Sequence, residues 1–416
     1  MDNKGKNNSI FGLINSLSKG GAQRQMLYLF ENSVISDLYL MENRINYSIK
    51  DDRKKNIKLL LSNKKLKSNI LKFIIWPIYS LVLMGYIKTR NSQIISFEGA
   101  NIINVFSKLF FKHKSIICVL SNPQINYKGI KSIVFQLIKI TYLFSDIIVT
   151  NSKGVASFLK KNKKIKNKVF TIYNPISVEY IEEKGIEKLD GKEEILFKKY
   201  PVFINVGRLM GAKGQWNLLK VFKGIKNRIP ESKLVIIGDG KLKNYLVDLS
   251  IKFGLKTFDF SKDIFDENYD VYFMGSKDNP FKYIKNSSIF VFSSFMEGFP
   301  NAILEAMACQ IPVVSSDCRF GPREILAPNS DFLYETKEVE FGEYGVLLPV
   351  LDKNKNFNKE FSVYEKIWID TIVGLYNDKG MQRNYSEKSL ERIKEFDEKI
   401  ISSEWKDLIS NSKLLI

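Results

Sequence analysis

Glu297 and Glu305 stand eight positions apart, on either side of a Gly298-Phe299-Pro300 turn and the start of a helix that begins near Pro300. Gly298 can take backbone angles that other residues avoid, Pro300 is placed for the first helical position, and the amides that follow are free to face an anion. A carboxylate before the helix and another inside it could then hold hydroxyl groups on either side of a diphosphate, as a nucleotide-sugar site requires. Two solvated glutamates on a surface helix are the commoner meaning of such a pair. The order of the surrounding segments is what shifts the balance.

Upstream, Tyr269-Asp-Val-Tyr-Phe-Met-Gly275 leads to Tyr283 and then to Asn286-Ser-Ser-Ile-Phe-Val-Phe-Ser-Ser-Phe295; downstream comes Ile311-Pro-Val-Val-Ser-Ser-Asp317-Cys-Arg-Phe-Gly-Pro-Arg-Glu-Ile-Leu326. Earlier, Asn205-Val-Gly207-Arg208-Leu-Met-Gly-Ala-Lys213 places an arginine and a lysine five apart on a strand-to-helix turn. Taken together these segments resemble the retaining glycosyltransferases of family 4, enzymes of the GT-B fold. The resemblance covers most of the chain and is strongest over residues 202–326.

The resemblance implies a specific division of labour. Arg208 and Lys213 contact the donor phosphates, Glu297 faces the transferred sugar, and Glu305 hydrogen-bonds the nucleotide ribose. The backbone of Gly298, Phe299, Pro300 and Asn301 lines the sugar and phosphate pocket, where proline offers only its carbonyl. Gly207, Gly238, Gly240 and Gly275 let backbone approach the nucleotide, although Gly238-Asp-Gly240 alone is a weak signal, since strand-to-helix turns often carry glycine for geometry. Ser18-Lys-Gly20-Gly21-Ala-Gln-Arg24 resembles the glycine-rich loop that closes over the diphosphate from the opposite side. Many relatives also carry a histidine after the strand that ends here near Leu120; this chain has Ser121-Asn122, which become candidate sugar contacts, while its one histidine, His113, reads as a surface residue.

Breaking the bond between an anomeric carbon and a diphosphate builds negative charge on the leaving group, which something must stabilise. Enzymes of the GT-A fold use a metal held by Asp-x-Asp, a pattern missing from this sequence. The expectation is therefore a site with no metal and no cofactor, served by cationic side chains and a helix amino terminus. Retention needs no enzymatic base if a donor phosphate oxygen takes the acceptor proton. A nucleotide sugar, probably carrying UDP, and a lipid-linked or growing oligosaccharide are the implied substrates. Another nucleotide-sugar enzyme of the same fold, an epimerase or hydrolase, is the nearer alternative; a nucleic-acid-binding protein is the distant one, and no binding module for it is recognisable.

The net charge of +19 is one-sided. Residues 1–180 hold 29 Lys and Arg against 9 Asp and Glu, whereas the remainder is almost balanced at 35 against 36. A positive field confined to one half points to an acidic partner, here an anionic membrane surface carrying the acceptor rather than nucleic acid. Lys128 to Phe144 and Phe106 to Lys114 mix aromatic and aliphatic residues with lysine as interfacial helices do. The longest apolar run, Phe73 to Ile87, is short for a bilayer span and reads as a buried or membrane-facing helix. Location in the cytoplasm, peripheral on the inner face of the plasma membrane, is the expectation. Cys118, Cys309 and Cys318 have no metal-like spacing, which fits a reducing compartment.

At 416 residues the chain suits two domains. Strand candidates Ile10–Ile14, Gln93–Phe97, Ser115–Leu120, Asp146–Thr150 and Val169–Ile172 alternate with helical stretches. A second series follows Pro201: Val202–Val206, Lys233–Ile237, Asp270–Phe273, Ile289–Ser293 and Val313–Ser315. This predicts an α/β chain of two Rossmann-like, doubly wound domains facing each other across a cleft. Residues 1–180 form the acceptor-side domain, an acidic and irregular 181–200 the linker, 201–380 the nucleotide-sugar domain and 381–416 terminal helices. By resemblance the last of these packs back on the first domain through Trp405.

Overall fold

Short runs rich in Ile, Val, Leu and Phe become the strands of two separate, mainly parallel sheets. The computed structural model describes residues 9–18, 20–61, 69–87, 92–120, 130–355, 357 and 360–411. The candidate contacts Ser121 and Asn122 lie outside the described residues. Two units emerge: Met1–Pro175 with Glu398–Ile416, and Ile176–Asp397.

The first unit is built on strands β1 (Ile10–Ile14), β2 (Asp37–Leu40), β3 (Ile57–Leu59), β4 (Gln93–Phe97), β5 (Lys114–Val119), β6 (Ile147–Thr150) and β7 (Val169–Thr171). They run parallel in the order β3-β2-β1-β4-β5-β6-β7. The second unit holds β8 (Val202–Val206), β9 (Lys233–Ile237), β10 (Thr257–Asp259), β11 (Val271–Phe273), β12 (Ile289–Phe292), β13 (Val313–Ser316), β14 (Glu340–Phe341) and β15 (Val346–Leu348). Their order is β10-β11-β9-β8-β12-β13-β15-β14, parallel except for β14. In each sheet the chain starts in the middle, winds to one side and then returns to the other. The reversal falls between β1 and β4 in the first and between β8 and β12 in the second, the position at which doubly wound sheets open a crevice at their strand carboxyl ends.

Three expectations about organisation change. β2, β3, β10, β14 and β15 were not foreseen, because strands of two to four residues give too little alternation to register as a period. Residues 181–200 are no irregular linker: Val178–Gly185 and Gly191–Lys199 are helices, and Tyr283 Oη donates to Glu193 Oε2 at 2.8 Å to hold them on the second unit. The terminal helices do not form one segment: Lys379–Ile393 belongs to the second unit, while Glu398–Asn411 joins the first, as the resemblance implied. Trp405 is fully buried there among Ile14, Leu17, Phe30 and Ile95. A buried ring of that size contributes roughly 1.5–3 kcal/mol.

His113 is also not at the surface. It is 6% exposed, with one ring nitrogen 3.0 Å from Phe111 O and the other 3.0 Å from Asn104 Oδ1. Asn104 in turn donates to Ser96 Oγ and Ile94 O, so the imidazole completes a polar network under the helix Ala100–Ser107. Burial pushes its pKa below the usual 6.5, with backbone carbonyls and Asp146 opposing and Lys108 adding to the shift. An unfolded chain therefore takes up this proton more readily than the folded one, and the contribution of His113 to stability is complete above pH 6.5 and lost as pH falls through the window between 6.5 and the lowered folded value. His113→Gln should flatten the fall in stability below pH 6.5, read from urea midpoints across a pH series; curves parallel to wild type would remove His113 as the cause.

Candidate functional site

The candidate site of the second unit grows from the reversal between β8 and β12. β12 pairs with β8 through Ile289–Phe203 and Phe290–Ile204, and beyond this register the buried amide of Asn205 takes over, its Nδ2 donating to Val291 O at 2.8 Å. The loops leaving the two strands are thereby fixed side by side. Phe295 N donates to Ala212 O at 2.8 Å and Ser293 Oγ to Lys213 O at 3.0 Å. Between them lies Gly214 at φ +65°, where a Cβ would sit 2.3 Å from Ser293 O. Only glycine fits that contact in that conformation.

This clamp sets Lys213 and Glu297 together across 84 residues of chain. Nζ of Lys213 lies 2.7 Å from Glu297 Oε1 and 5.4 Å from the centroid of the Phe292 ring. Both side chains are partly sheltered, at 20% and 14% exposure, so the ion pair is screened less than a surface pair but is not sealed from solvent. Glu297 lies near a second buried group: Cys318, whose thiol is raised well above 9.0 by burial first and by the Glu297 carboxylate second. Cys309, pushed up to about 12 by burial and by Glu305, is likewise held as a thiol. Neither serves as a thiolate nucleophile.

The glycine turns interlock around this pair. A Cβ on Gly238, at φ +144°, would fall 2.0 Å from Gly207 O, and one on Gly240 2.3 Å from Leu209 O. Gly207 N donates to Ile237 O, Leu209 N to Asp239 O and Gly238 N to Gly275 O. The loops after β8, β9 and β11 are thus laced through backbone alone. Arg208 sits on this strand of contacts with its carbonyl accepting from Gln215 Nε2 at 3.2 Å, while its side chain is exposed and forms no ion pair among the described residues. On the other flank Gly321, at φ +95°, presses against Pro300 Cδ and Phe299 Cα.

The helix Asn301–Ala308 begins one residue later than expected, because Pro300 adopts an extended conformation and acts as its N-cap. Its amino terminus carries the partial positive charge of the helix dipole close in sequence to Glu297, with Ile303 N donating to Pro300 O at 3.0 Å. Glu305 is buried, 7% exposed, one turn along the same helix. In the first unit, Gly20 has φ 174°, ordinary extended backbone, and is gripped by Tyr47, whose Oη accepts from Gly20 N at 2.9 Å and donates to Gly20 O at 3.0 Å. Gly21 opens the helix Gly21–Glu31 with empty space where a Cβ would project. A Cβ on Gly20 would fall 2.3 Å from Gln23 Oε1, and neither glycine has a positive φ.

One constellation carried no assigned role in the sequence. Arg323, 4% exposed, forks between Asp317 and Glu340, reaching Glu340 Oε2 at 2.7 Å, and Thr336 N donates to Asp317 Oδ2 at 2.7 Å. Arg392 donates to Glu324 O at 2.7 Å and Ile325 O at 3.1 Å, fastening the same short helix from behind. These arginines hold the segment that presses on Phe299 and Pro300. Asp317 and Arg323, six apart in the segment Ile311–Leu326, were the visible signal; Glu340 had none.

Replacing Gly238 by Ala puts a methyl group into Gly207 O and an L-residue at φ +144°. The expected cost is about 2–3 kcal/mol, measured by denaturant unfolding, together with loss of nucleotide binding; a variant as stable as wild type would mean that the loops are not clamped as described.

Residues 187–343 match the family model of glycosyl transferases group 1. An uncharacterised glycosyltransferase of Methanocaldococcus jannaschii is 32% identical over 381 residues, 85% of this chain and 88% of that one. N-acetylgalactosamine-N,N'-diacetylbacillosaminyl-diphospho-undecaprenol 4-alpha-N-acetylgalactosaminyltransferase of Campylobacter jejuni is 27% identical over 92% of this chain and 94% of its own. Among solved structures, Anabaena HepE in complex with UDP and glucose superposes with a TM-score of 0.70 at 13% identity, covering 97% of this chain and 100% of that one. The two Rossmann-like sheets are those of the GT-B fold.

Proposed function

Because the chain belongs to the glycosyl transferases of group 1, we propose that it is a retaining hexosyltransferase of the family 4 kind, moving a sugar from a UDP donor to a lipid-linked or growing oligosaccharide. The setting is the assembly of a bacterial surface polysaccharide such as capsule or O-antigen, at the inner face of the plasma membrane. The observation that carries the reading is the 2.7 Å pairing of Lys213 with Glu297 at the β8–β12 reversal, beside the amino terminus of Asn301–Ala308. The Campylobacter jejuni relative, named for a diphospho-undecaprenol acceptor, supports the lipid-linked substrate, and HepE, seen with UDP and glucose, supports the donor.

An incoming diphosphate competes with Glu297 for the Lys213 ammonium. Lys213 then faces the phosphates and Glu297 is released to accept hydrogen bonds from sugar hydroxyls, so the two groups keep each other solvated and placed until the donor arrives. As the anomeric bond breaks, charge gathering on the departing UDP meets Lys213, Arg208 and the first-turn amides of the helix. Glu305 takes the ribose hydroxyls, and the clamped turns at Gly207, Gly238, Gly240 and Gly275 allow backbone to approach the nucleotide. The acceptor hydroxyl attacks from the face the UDP leaves, passing its proton to a donor phosphate oxygen, so no side-chain base is needed. Cationic groups do the work that a divalent ion would otherwise do, and no cofactor is required.

Lys213→Ala and Glu297→Ala should each lower transfer at least about a hundredfold, in line with removal of one charge-stabilising group, with melting temperatures close to wild type. Full activity in both would remove this pair from the reaction. A panel of nucleotide sugars screened by thermal shift identifies the donor, since a bound ligand stabilises the fold by mass action. Rapid consumption of donor without acceptor would instead favour an epimerase or hydrolase. Turnover should be unchanged by EDTA, and a rate restored only by Mg2+ or Mn2+ would contradict the metal-independent reading.

A further inference from the structure

The first unit carries a surface that its own core does not account for. Three successive helices, Asn69–Tyr86, Ala100–Ser107 and Ile130–Phe144, adjoin, the middle one packing against each of the others. Inward, Tyr79, Leu83 and Ile103 are buried in the core. Outward, a helix that meets only water should be polar. Here Ile78 and Leu81 are about half exposed on the first helix, and Leu109 and Phe110, just past the second, are 71% and 53% exposed. On the third, Ile133, Ile140 and Phe144 follow at intervals of seven and four, one side of a helix, all about half exposed or more. Scattered apolar side chains need no explanation, but a field of them on three adjoining helices does.

The same field has a basic border. Lys168 donates to Leu143 O at 2.8 Å and Ser145 O at 2.6 Å, and Lys108 to Phe144 O at 3.2 Å, so two lysines close the carboxyl end of the third helix. Lys168 ends an exposed run that includes Lys161, Lys163, Lys164 and Lys166, and Lys112 lies exposed two residues beyond Phe110. The nearby carboxylate, Asp146, is already engaged by Lys108 at 2.7 Å. No helix among the described residues is long and apolar enough to cross a membrane.

We propose that this apolar field with its lysine border is a docking surface for an anionic lipid bilayer, with Leu109, Phe110 and Phe144 entering the headgroup–acyl boundary and the lysines meeting lipid phosphates. The lysine excess selects this occupant. A second copy of the chain would bring like charge to the interface, and a nucleic acid would satisfy the lysines while leaving the phenylalanines and leucines in water. The proposal rests on the functional reading only for its setting, a lipid-linked acceptor, and its test needs no donor.

The full chain is sedimented with vesicles of phosphatidylglycerol and phosphatidylethanolamine, and with vesicles of phosphatidylcholine alone. Binding should favour the anionic vesicles and weaken with salt. Leu109→Glu with Phe110→Glu should reduce it at least about tenfold, as expected for losing two inserted side chains, with an unchanged melting temperature. Lys163→Glu with Lys164→Glu, lying off the apolar field, should weaken binding to anionic vesicles alone, and decides the matter if the first variant is unstable. Wild-type protein that stays in solution with anionic vesicles, binds both compositions equally, or binds as well with either pair of substitutions would overturn the proposal. A UDP-induced thermal shift, run in parallel, reports on the donor reading separately: its absence would count against that reading and leave vesicle binding untouched.

Discussion

Everything in the candidate donor site depends on the seam between β8 and β12. Those strands are far apart in sequence and adjacent in the sheet, and their outgoing loops are fastened by backbone hydrogen bonds and by a glycine that has no room for a side chain. Lys213 and Glu297 meet because the seam leaves their loops no other course. Loops held only by side chains would scatter these two charges, since each ordered side chain costs entropy and a partly exposed ion pair gives back little.

Charge is distributed with the same economy. The second unit, nearly neutral overall, concentrates opposite charges in pairs: Lys213 with Glu297, and Arg323 with Asp317 and Glu340. Within the Arg323 cluster, Arg323 and Asp317 are 4% and 1% exposed, and removing either would strand an uncompensated buried charge. The Lys213 pair is partly open to solvent and can exchange one partner for a ligand. Burial therefore separates a structural ion cluster from one that can take part in chemistry, although the residue types are the same. The first unit carries its positive excess on the outside, beside exposed apolar side chains, as suits a surface meant for a partner rather than for the core.

How legible the site was in the sequence varied residue by residue. Glu297, Glu305, Arg208 and Lys213 could be singled out because their spacing from glycine and proline turns survives as a linear pattern. The glycines at 207, 238, 240 and 275 were found but not their reason, which is contact between loops from three strands. Gly20 and Gly21 were found as well, although neither has the positive φ that would itself demand glycine. Gly214, Asn205 and Glu340 were passed over, because the atoms that need them, Ser293 O, Val291 O and the Arg323 guanidinium, lie far away in sequence.

Sequence alone determined the two alternating β/α series, the long central strands and the asymmetry of charge, all of which follow from local periodicity and composition. Only tertiary structure decided that residues 181–200 are helices held on the second unit, that His113 is interior, and that an ammonium and a carboxylate 84 residues apart touch. The physical reason is range. Alternation, helix periodicity and turn chemistry are properties of neighbouring residues, whereas strand order, burial and the company a charge keeps are set by which distant segments close on one another.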